Sequence, residues 1–310
     1  MKFLKVLATL IILLFFLLAG YYVYQDNESL ILDVPARKAL GGSFIKTSNG
    51  VVHYQLTGPD DAEIVVLVHG FSVPAFIWEP TFVFLKEQGY QVLRFDLFGR
   101  GFSDRPDKEY GLELFSQQLK DLLDQLEIEQ PINLIGLSMG GPIVSRFTHQ
   151  NPHRVKRLIL EDPLVHQIPP TLIAPMEKPI IGEYLATVLM IPNMITSNHS
   201  EQNNNHVAGW GESFQQQSEY KGFRRAVLSS LRYFSSHNIV KEYKLLAKTP
   251  MPKLLIWGTA DPTVPFTESE TLLALMPQIK FVPIEDAGHV PMVEKPKIFN
   301  SILLDFLQNN

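Results

Sequence analysis

The stretch from Pro131 to Pro142 constrains the fold of this chain more than any other. It begins with a short apolar run typical of a buried strand, turns tightly at Gly136-Leu-Ser138-Met-Gly140, and continues into a helical pattern. A Gly-x-Ser-x-Gly sequence between a strand and a helix is a nucleophile elbow, a strained turn that exposes the serine hydroxyl. Larger side chains at positions 136 and 140 would collide in such a turn. Ser138 would also lie at a helix N-terminus, where free N–H groups favour developing negative charge.

The composition narrows the classes of function. The 310 residues, 45% of them hydrophobic, suffice for one large α/β domain with an insertion, or for two domains. A formal charge of -5 without any basic block argues against a nucleic-acid partner. The sequence has no cysteine, which excludes disulfides, thiolate metal sites and a cysteine nucleophile. The histidines lack metal-binding spacing, so we expect neither a metal nor a cofactor.

Residues 1–25 are predicted to be a membrane anchor. Lys2 and Lys5 precede an apolar run of about 19 residues, which spans about 28 Å as a helix, close to the roughly 30 Å of a hydrocarbon core. Tyrosines at the end of the run, such as Tyr22, would lie in an interfacial aromatic belt. The leading lysines predict a single-pass protein with its N-terminus in the cytoplasm and its main domain outside. A cleaved signal peptide, which would give a secreted protein, is the alternative.

The remaining chain is predicted to have four parts. They are a stalk (26–43), the first part of a core (44–164), a helical cap (165–247) and the second part of the core (248–310). In both core parts strands alternate with helices, which predicts a mostly parallel, doubly wound α/β sheet. The middle part lacks the short apolar runs that predict strands. It shows an apolar helical stretch from Ile180 to Ile195, a polar loop from Thr196 to Asn205 and a second helical stretch from Phe223 to Phe234.

Several predicted strands end in polar or glycine-rich turns. These turns hold His69, Ser138, Asp162, Asp261 and His289. Because the carboxyl ends of parallel strands meet on one side of a sheet, we expect the turns to be neighbours. A serine nucleophile needs a base within hydrogen-bond reach, and that base needs an orienting acid. The order serine, acid, histidine is the one described for hydrolases with this elbow, and both aspartates follow the serine.

Five segments together resemble the α/β-hydrolase-fold serine hydrolases that carry a cap domain, over most of residues 44–308. The segments are Leu-Val-His69-Gly70-Phe71, Asp96-Leu-Phe-Gly-Arg-Gly-Phe-Ser103, Gly136-Leu-Ser138-Met-Gly140-Gly, Trp257-Gly-Thr-Ala-Asp261-Pro-Thr-Val-Pro265 and Asp286-Ala-Gly-His289-Val-Pro. The resemblance implies that Ser138 is the nucleophile, that His289 is the base, and that Asp261 orients the imidazole. It favours Asp261 over Asp162 because the turn after Trp257 matches the acid turn of the family.

The resemblance also implies an oxyanion hole and a pocket. The backbone N–H groups of Phe71 and Met139 would bind the oxyanion, and one such donor is worth about 3 kcal/mol of barrier. The side chains of Phe71 and Trp78 are predicted to contact the substrate. His69 is predicted to support the oxyanion loop rather than to act as the base.

The predicted activity is the hydrolysis of carboxylic esters through an acyl-enzyme. An apolar cap and a membrane anchor favour small-molecule or lipid-like esters such as monoacylglycerols. Two alternatives stay open: a C–C bond hydrolase of the meta-cleavage type with the same triad, and a non-catalytic binding protein with this fold.

Overall fold

The computed structural model describes residues 1–201 and 207–309 of the chain. The strands are β1 (Ser43–Thr47), β2 (Gly50–Thr57), β3 (Ile64–Val68), β4 (Gln91–Phe95), β5 (Ile132–Leu137), β6 (Val155–Glu161), β7 (Lys253–Gly258) and β8 (Lys280–Ile284). Within the described residues they form one eight-stranded sheet of order β1-β2-β4-β3-β5-β6-β7-β8. β2 is antiparallel to both β1 and β4, and all other neighbours are parallel. The predicted α/β-hydrolase fold with a mostly parallel sheet is confirmed.

Two helices precede the first strand, and the others flank the sheet or lie in the segment between β6 and β7. They are α1 (Lys2–Gln25), α2 (Val34–Leu40), α3 (Glu79–Glu87), α4 (Leu112–Gln125), α5 (Gly140–Gln150), α6 (Pro170–Ile173), α7 (Ile181–Leu185), α8 (Ile191–Glu201), α9 (Trp210–Ser218), α10 (Phe223–Ser236), α11 (Val240–Leu246), α12 (Ser269–Leu275), α13 (Pro291–Glu294) and α14 (Pro296–Asn309). A 3₁₀ turn, Ala75–Trp78, precedes α3, and a π-helical turn, Ala186–Met190, joins α7 to α8.

Two apolar clusters hold the sheet between its helices. Every residue of β3 and β5 is buried, as expected for parallel strands covered on both faces. One cluster joins the sheet to α4 and α5, and the other joins the opposite face to α3 and α14. The carboxyl ends of the parallel strands therefore open on one edge, where the turns with polar residues lie.

The regular elements in the described part of the segment between β6 and β7 are all helical. The predicted polar loop from Thr196 to Asn205 is wrong up to residue 201, because α8 continues to Glu201. The polar side chains of Thr196 and Ser200 hydrogen-bond the carbonyls four residues earlier, and Asn198 accepts the indole N–H of Trp210 at 2.7 Å. The rest of that predicted loop, 202–206, lies outside the described residues. The cap boundaries at 165 and 247 stay a prediction.

The N-terminal segment is docked on the helices between β6 and β7. In the described part of the chain α1 is the one helix long and apolar enough to cross a membrane, and none of its residues is buried. Its Tyr22 stacks on Tyr184 of α7, with the ring centroids 6.0 Å apart. The carboxylate of Glu28 then accepts hydrogen bonds from the backbone N–H groups of Gly222 and Arg224 at the start of α10. The predicted stalk is thus held in place and contains α2.

Candidate active site

Ser138 lies on a strained turn between β5 and α5. Its φ is 53°, in the left-handed region that residues with a side chain rarely adopt. A Cβ added at Gly136 would lie 2.6 Å from the carbonyl oxygen of Gly140, and one at Gly140 would lie 2.6 Å from that of Val68. The predicted steric reason for both glycines is confirmed. The turn stores backbone strain at the exposed hydroxyl, as functional sites commonly do.

Two backbone N–H groups close to Ser138 in the fold have no partner of their own among the described residues. Within the described residues the N–H groups of Phe71 and Met139 donate to no other backbone carbonyl or side chain. Gly70 brings the first of them close, since a Cβ on Gly70 would meet Ser138 Cβ at 3.1 Å. The Phe71 peptide is held by Arg100, whose Nε donates to the Phe71 carbonyl at 2.7 Å. These two N–H groups can bind a negatively charged oxygen.

His69 is a buried support for the same loop. Its Nε2 accepts the backbone N–H of Leu97 at 2.9 Å, so the proton is on Nδ1, which donates to the carbonyl of Gly70 at 2.9 Å. Burial lowers the pKa of His69 to about 4, against the pull of Asp96, which raises it. With both ring nitrogens engaged, this histidine ties the loop after β3 to the loop after β4.

His289 lies beside Asp261, on the loops that follow β8 and β7. Its Nδ1 is 2.7 Å from Asp261 Oδ2, while Oδ1 of the same carboxylate accepts the backbone N–H groups of Thr263 and Val264. The Asp261 side chain is fully buried and the His289 side chain is 19% exposed. The acid is thereby fixed in one orientation, and the other ring nitrogen is left toward the pocket.

Close packing of the two loops produces this pairing. A Cβ at Gly258 would lie 2.1 Å from the carbonyl oxygen of Gly288, so only glycine allows the loops to approach. Glu294 closes the second loop, because its carboxylate accepts the N–H groups of Gly288 and Val290 on either side of His289. Sequence reasoning missed Glu294. Glu294 bonds back to the N–H of Val290, the residue before α13, as the glutamate of a capping box does, but from four residues away instead of three, so the motif does not reveal it.

Asp162 is the third member of this group. One oxygen of Asp162, one of Asp261 and a ring nitrogen of His289 all lie within 4.8 Å of one another, close enough for a cation, although hydrogen bonding alone accounts for the spacing. Asp162 Oδ1 accepts the Gly258 N–H at 2.9 Å. Burial, with the carboxylates of Glu161 and Asp261, raises the pKa of Asp162 well above its ordinary value. This raised pKa favours the protonated form of Asp162, and Oδ2, which is buried without a hydrogen-bond partner among the described residues, is the oxygen that can carry the proton.

The Ser138 and His289 side chains border the same pocket. Its volume is about 870 Å³, within the range of small-molecule sites. Among the described residues no hydrogen bond joins the serine hydroxyl to the ring, and such pairs are commonly looser before substrate binds. Apolar lining comes from Phe71, Val73, Ile77, Leu137, Met194, Trp210 and Val290.

The prediction for Trp78 needs correction. Trp78 is fully buried and packs against Phe299 of α14, with ring centroids 6.5 Å apart, while its neighbour Ile77 lines the pocket. The aromatic wall is instead supplied by Phe71, as predicted, and by Trp210 of α9, which sequence reasoning missed. Phe76 supports Trp210 edge-on at 5.4 Å.

Known proteins resemble this chain over most of its length. It is 29% identical to a 2-hydroxy-6-oxononadienedioate/2-hydroxy-6-oxononatrienedioate hydrolase of Cupriavidus pinatubonensis, over 83% of this chain and 91% of the relative. It is 26% identical to Lipase 1 of Psychrobacter immobilis, over 90% and 87%. The structure of a thermophilic esterase from Thermogutta terrifontis has a TM-score of 0.72 at 24% identity, over 86% of this chain and 98% of the other.

The family comparison covers both core parts. The model of the alpha/beta hydrolase family matches residues 65–302, more than half of the chain, and this range includes β3, the Ser138 turn and the loop of His289. The match agrees with the sheet order and with the position of the pocket at the carboxyl ends of the strands. The chain therefore belongs to the alpha/beta hydrolase family.

Proposed function

We propose that this protein is a membrane-anchored serine hydrolase that cleaves carboxylic esters of lipid-like molecules. One observation carries the proposal: Ser138, on its left-handed turn, faces the same pocket as the His289 ring that Asp261 holds at 2.7 Å. A ring that donates from Nδ1 to a carboxylate has Nε2 free to accept a proton. That is the arrangement that a serine needs to become a nucleophile.

The reaction follows from these positions. Ser138 Oγ attacks the ester carbonyl carbon while His289 Nε2 takes its proton, and Asp261 stabilises the imidazolium. The carbonyl oxygen becomes negative and accepts hydrogen bonds from the N–H groups of Phe71 and Met139. Cleavage of the C–O bond then gives an acyl-serine, and His289 protonates the leaving alcohol. Water, deprotonated by the same ring, releases the carboxylic acid and restores the serine.

The pocket favours a neutral, apolar substrate. Among the described residues no lysine or arginine lines it, whereas two carboxylates, Asp286 and Glu294, do. An anionic group bound there would be repelled by these carboxylates, with no cation to offset the repulsion. A monoacylglycerol has an apolar chain for the Trp210 and Met194 wall and hydroxyl groups for the polar rim. It carries no charge.

The N-terminal helix supports anchoring. α1 has 24 residues, a mean hydropathy of 2.6 in its most apolar window and no buried side chain. We propose that α1 crosses the bilayer with its N-terminus in the cytoplasm and the catalytic domain outside. N-terminal sequencing of the mature protein tests this part, since a chain beginning near Tyr21 would show that the helix is removed.

Labelling and turnover test the chemistry together. Wild-type protein should react with a fluorophosphonate probe and hydrolyse medium- and long-chain acyl esters. Ser138→Ala should lose probe labelling and more than roughly 10³-fold of the hydrolysis rate, while its circular dichroism stays unchanged. Ser145→Ala, which removes a buried hydroxyl bonded only to its own helix, is the matched control and should keep both. Unchanged turnover in Ser138→Ala would remove the nucleophile assignment.

The relative from Cupriavidus keeps a second activity in consideration. Its name describes a hydrolase of dicarboxylates, and 29% identity is the highest of the three values given above. The pocket carboxylates argue against a doubly charged substrate here. Parallel rate measurements on a long-chain acyl ester and on a vinylogous diketone decide between the two. Turnover of the diketone alone would replace ester hydrolysis with C–C bond hydrolysis.

A further inference from the structure

Exposed apolar side chains concentrate in one short segment of the helices between β6 and β7. Outside residues 1–34, six large apolar side chains are exposed in the described part of the chain, and four of them lie between residues 172 and 189. Three of these four, Ile180, Ile181 and Leu189, flank α7, and we call them the cap patch. Ile180 is 83% exposed, Ile181 52% and Leu189 50%. Apolar side chains grouped in this way mark a surface that meets an apolar partner.

Ile180 is also held in a strained conformation. Its φ is 69°, a value that β-branched residues very rarely adopt. The loop before it is fixed by Arg232, which donates to the carbonyl of Met176 at 2.9 Å and binds the Glu183 carboxylate at 2.8 Å. A rigid loop thus presents an isoleucine to the outside in a conformation that Asn or Gly would adopt more easily. Folding alone gives no reason for an isoleucine at this position.

The cap patch begins where α1 ends. Tyr22, in the last turn of α1, stacks on Tyr184, and the N–H of Tyr184 donates to the carbonyl of Ile180 one helical turn earlier. α1 also packs against the π-helical turn that contains Leu189. One helical turn advances about 5 Å, so the patch lies at nearly the same depth as the tyrosines at the end of the anchor. Tyrosines at that position mark the boundary between lipid and water.

The same helical segment also reaches the pocket. Leu189 lies four residues before Asn193, and Asn193, Met194 and Ser197 of α8 all line the pocket. About one helical turn therefore separates the patch from the pocket wall. The charge of Glu183, next to the patch, is paired with Arg232 and does not oppose contact with lipid.

We propose that the cap patch inserts into the bilayer that α1 crosses, so that the pocket takes up ester substrates directly from the membrane surface. The proposal rests on the anchoring role given to α1 above, and it adds a second membrane contact that comes from the folded domain itself. It identifies the occupant of the exposed patch as lipid and the source of the substrate as the leaflet around the anchor.

Site-specific labelling of the full chain tests the insertion. Because the sequence has no cysteine, Ile180→Cys gives a single attachment point for an environment-sensitive fluorophore. Ile298→Cys, on α14 and likewise an exposed isoleucine at 50%, is the control. In phosphatidylcholine–phosphatidylglycerol vesicles, the label at position 180 should shift to the blue and be quenched by brominated lipid, while the label at position 298 stays as in water.

Two results would overturn the proposal in distinguishable ways. If the protein floats with the vesicles but both labels report water, the anchor holds and the cap patch does not insert. If the protein fails to float with the vesicles, the anchor itself is wrong and the insertion falls with it. Neither result depends on ester hydrolysis. Both can therefore be distinguished from a failure of the proposed serine hydrolase activity.

Ile180→Asn tests the route of the substrate. Asparagine suits a positive φ, so this variant should fold at least as well as the wild type. We expect a several-fold lower rate on a monoacylglycerol presented in vesicles and an unchanged rate on a soluble short-chain ester. Ile298→Asn should change neither rate. An unchanged rate of Ile180→Asn on the vesicle substrate, or an equal loss on both substrates, would contradict uptake through the patch.

Discussion

Replacing Asp162 with asparagine should leave ester hydrolysis nearly intact, although Asp162 lies within the catalytic group. Asp162 accepts the Gly258 N–H with Oδ1, and its raised pKa favours a proton on Oδ2 that can be donated toward Asp261. An asparagine amide offers the same acceptor and the same kind of donor in nearly the same volume. We expect kcat/KM of Asp162→Asn to stay within about threefold of the wild-type value, which is less than 1 kcal/mol of barrier.

Two further variants show how large the losses of stability and of kcat should be when these carboxylates lose their hydrogen bonds or charge. Asp162→Leu keeps the branched shape but leaves the Gly258 N–H unpaired and Asp261 without a donor at this position. An unpaired buried group costs about 1–3 kcal/mol and a hydrogen bond to a charged group contributes about 1.5–3 kcal/mol, so we expect this variant to lose about 3 kcal/mol of stability or more. Asp261→Asn should lose on the order of 10⁴-fold in kcat, because the imidazole loses its orienting charge.

Steady-state kinetics on one long-chain ester, with urea denaturation of each variant, checks the ranking. The reasoning is refuted if Asp162→Asn loses a hundredfold or more in kcat/KM while Asp261→Asn stays near the wild type. In that case the acid of the triad follows β6, and Asp261 is the structural carboxylate.

The pH dependence of stability gives a second readout. The pKa of Asp162 is raised above its ordinary value of 3.8 in the folded state. Above that value the folded protein keeps a proton that the unfolded chain has lost, so this group lowers the free energy of unfolding as pH rises, by at most about 1.4 kcal/mol per pH unit. Asparagine does not titrate, so the Asp162→Asn variant does not show this decrease in the free energy of unfolding. Its stability relative to the wild type should therefore increase as pH rises above about 4, and a constant difference from acid to neutral pH would contradict the raised pKa.

Two other predictions concern the loops around the site. Burial lowers the pKa of His69 from 6.5 to about 4, so its contribution to stability is complete above pH 6.5 and is lost as pH falls toward 4, about 3 kcal/mol in all. Urea denaturation should show His69→Gln and the wild type converging over that range, and parallel curves would refute the assignment. Glu294→Ala frees the N–H groups on both sides of His289 and should lower kcat several-fold with little change in KM, whereas Glu294→Gln, which keeps an acceptor oxygen, should recover most of it. Equal rates in all three proteins would show that the glutamate does not position the loop.

The parts that sequence predicted best are those where burial alone decides the structure. β3 and β5 form from runs of apolar residues that can be buried only between two layers of helices. The turn at Ser138 followed from sterics, since two glycines at that spacing leave few backbone arrangements. Both features depend on local sequence.

The errors arise where long-range packing decides. Ile77 and Trp78 are adjacent apolar residues, and only the 3₁₀ turn determines that the tryptophan packs on α14 while the isoleucine lines the pocket. The polar residues after position 195 continue α8 because Asn198 has a partner in Trp210, which no local pattern reveals. Strand order is likewise hidden in a sequence. Because β6 and β7 are neighbours, Asp162 and Asp261 lie close together, with one oxygen of each within 4.8 Å of the other.

The two hydrogen bonds that Glu28 accepts at the start of α10 also determine where the chain can be shortened. A fragment that starts at about residue 26 keeps this carboxylate, whose role matches that of an N-terminal helix cap. A fragment that starts at β1, although it retains every strand, leaves the N–H groups of Gly222 and Arg224 without an acceptor. Detergent-free preparations should therefore preserve the short polar segment between the membrane helix and the first strand.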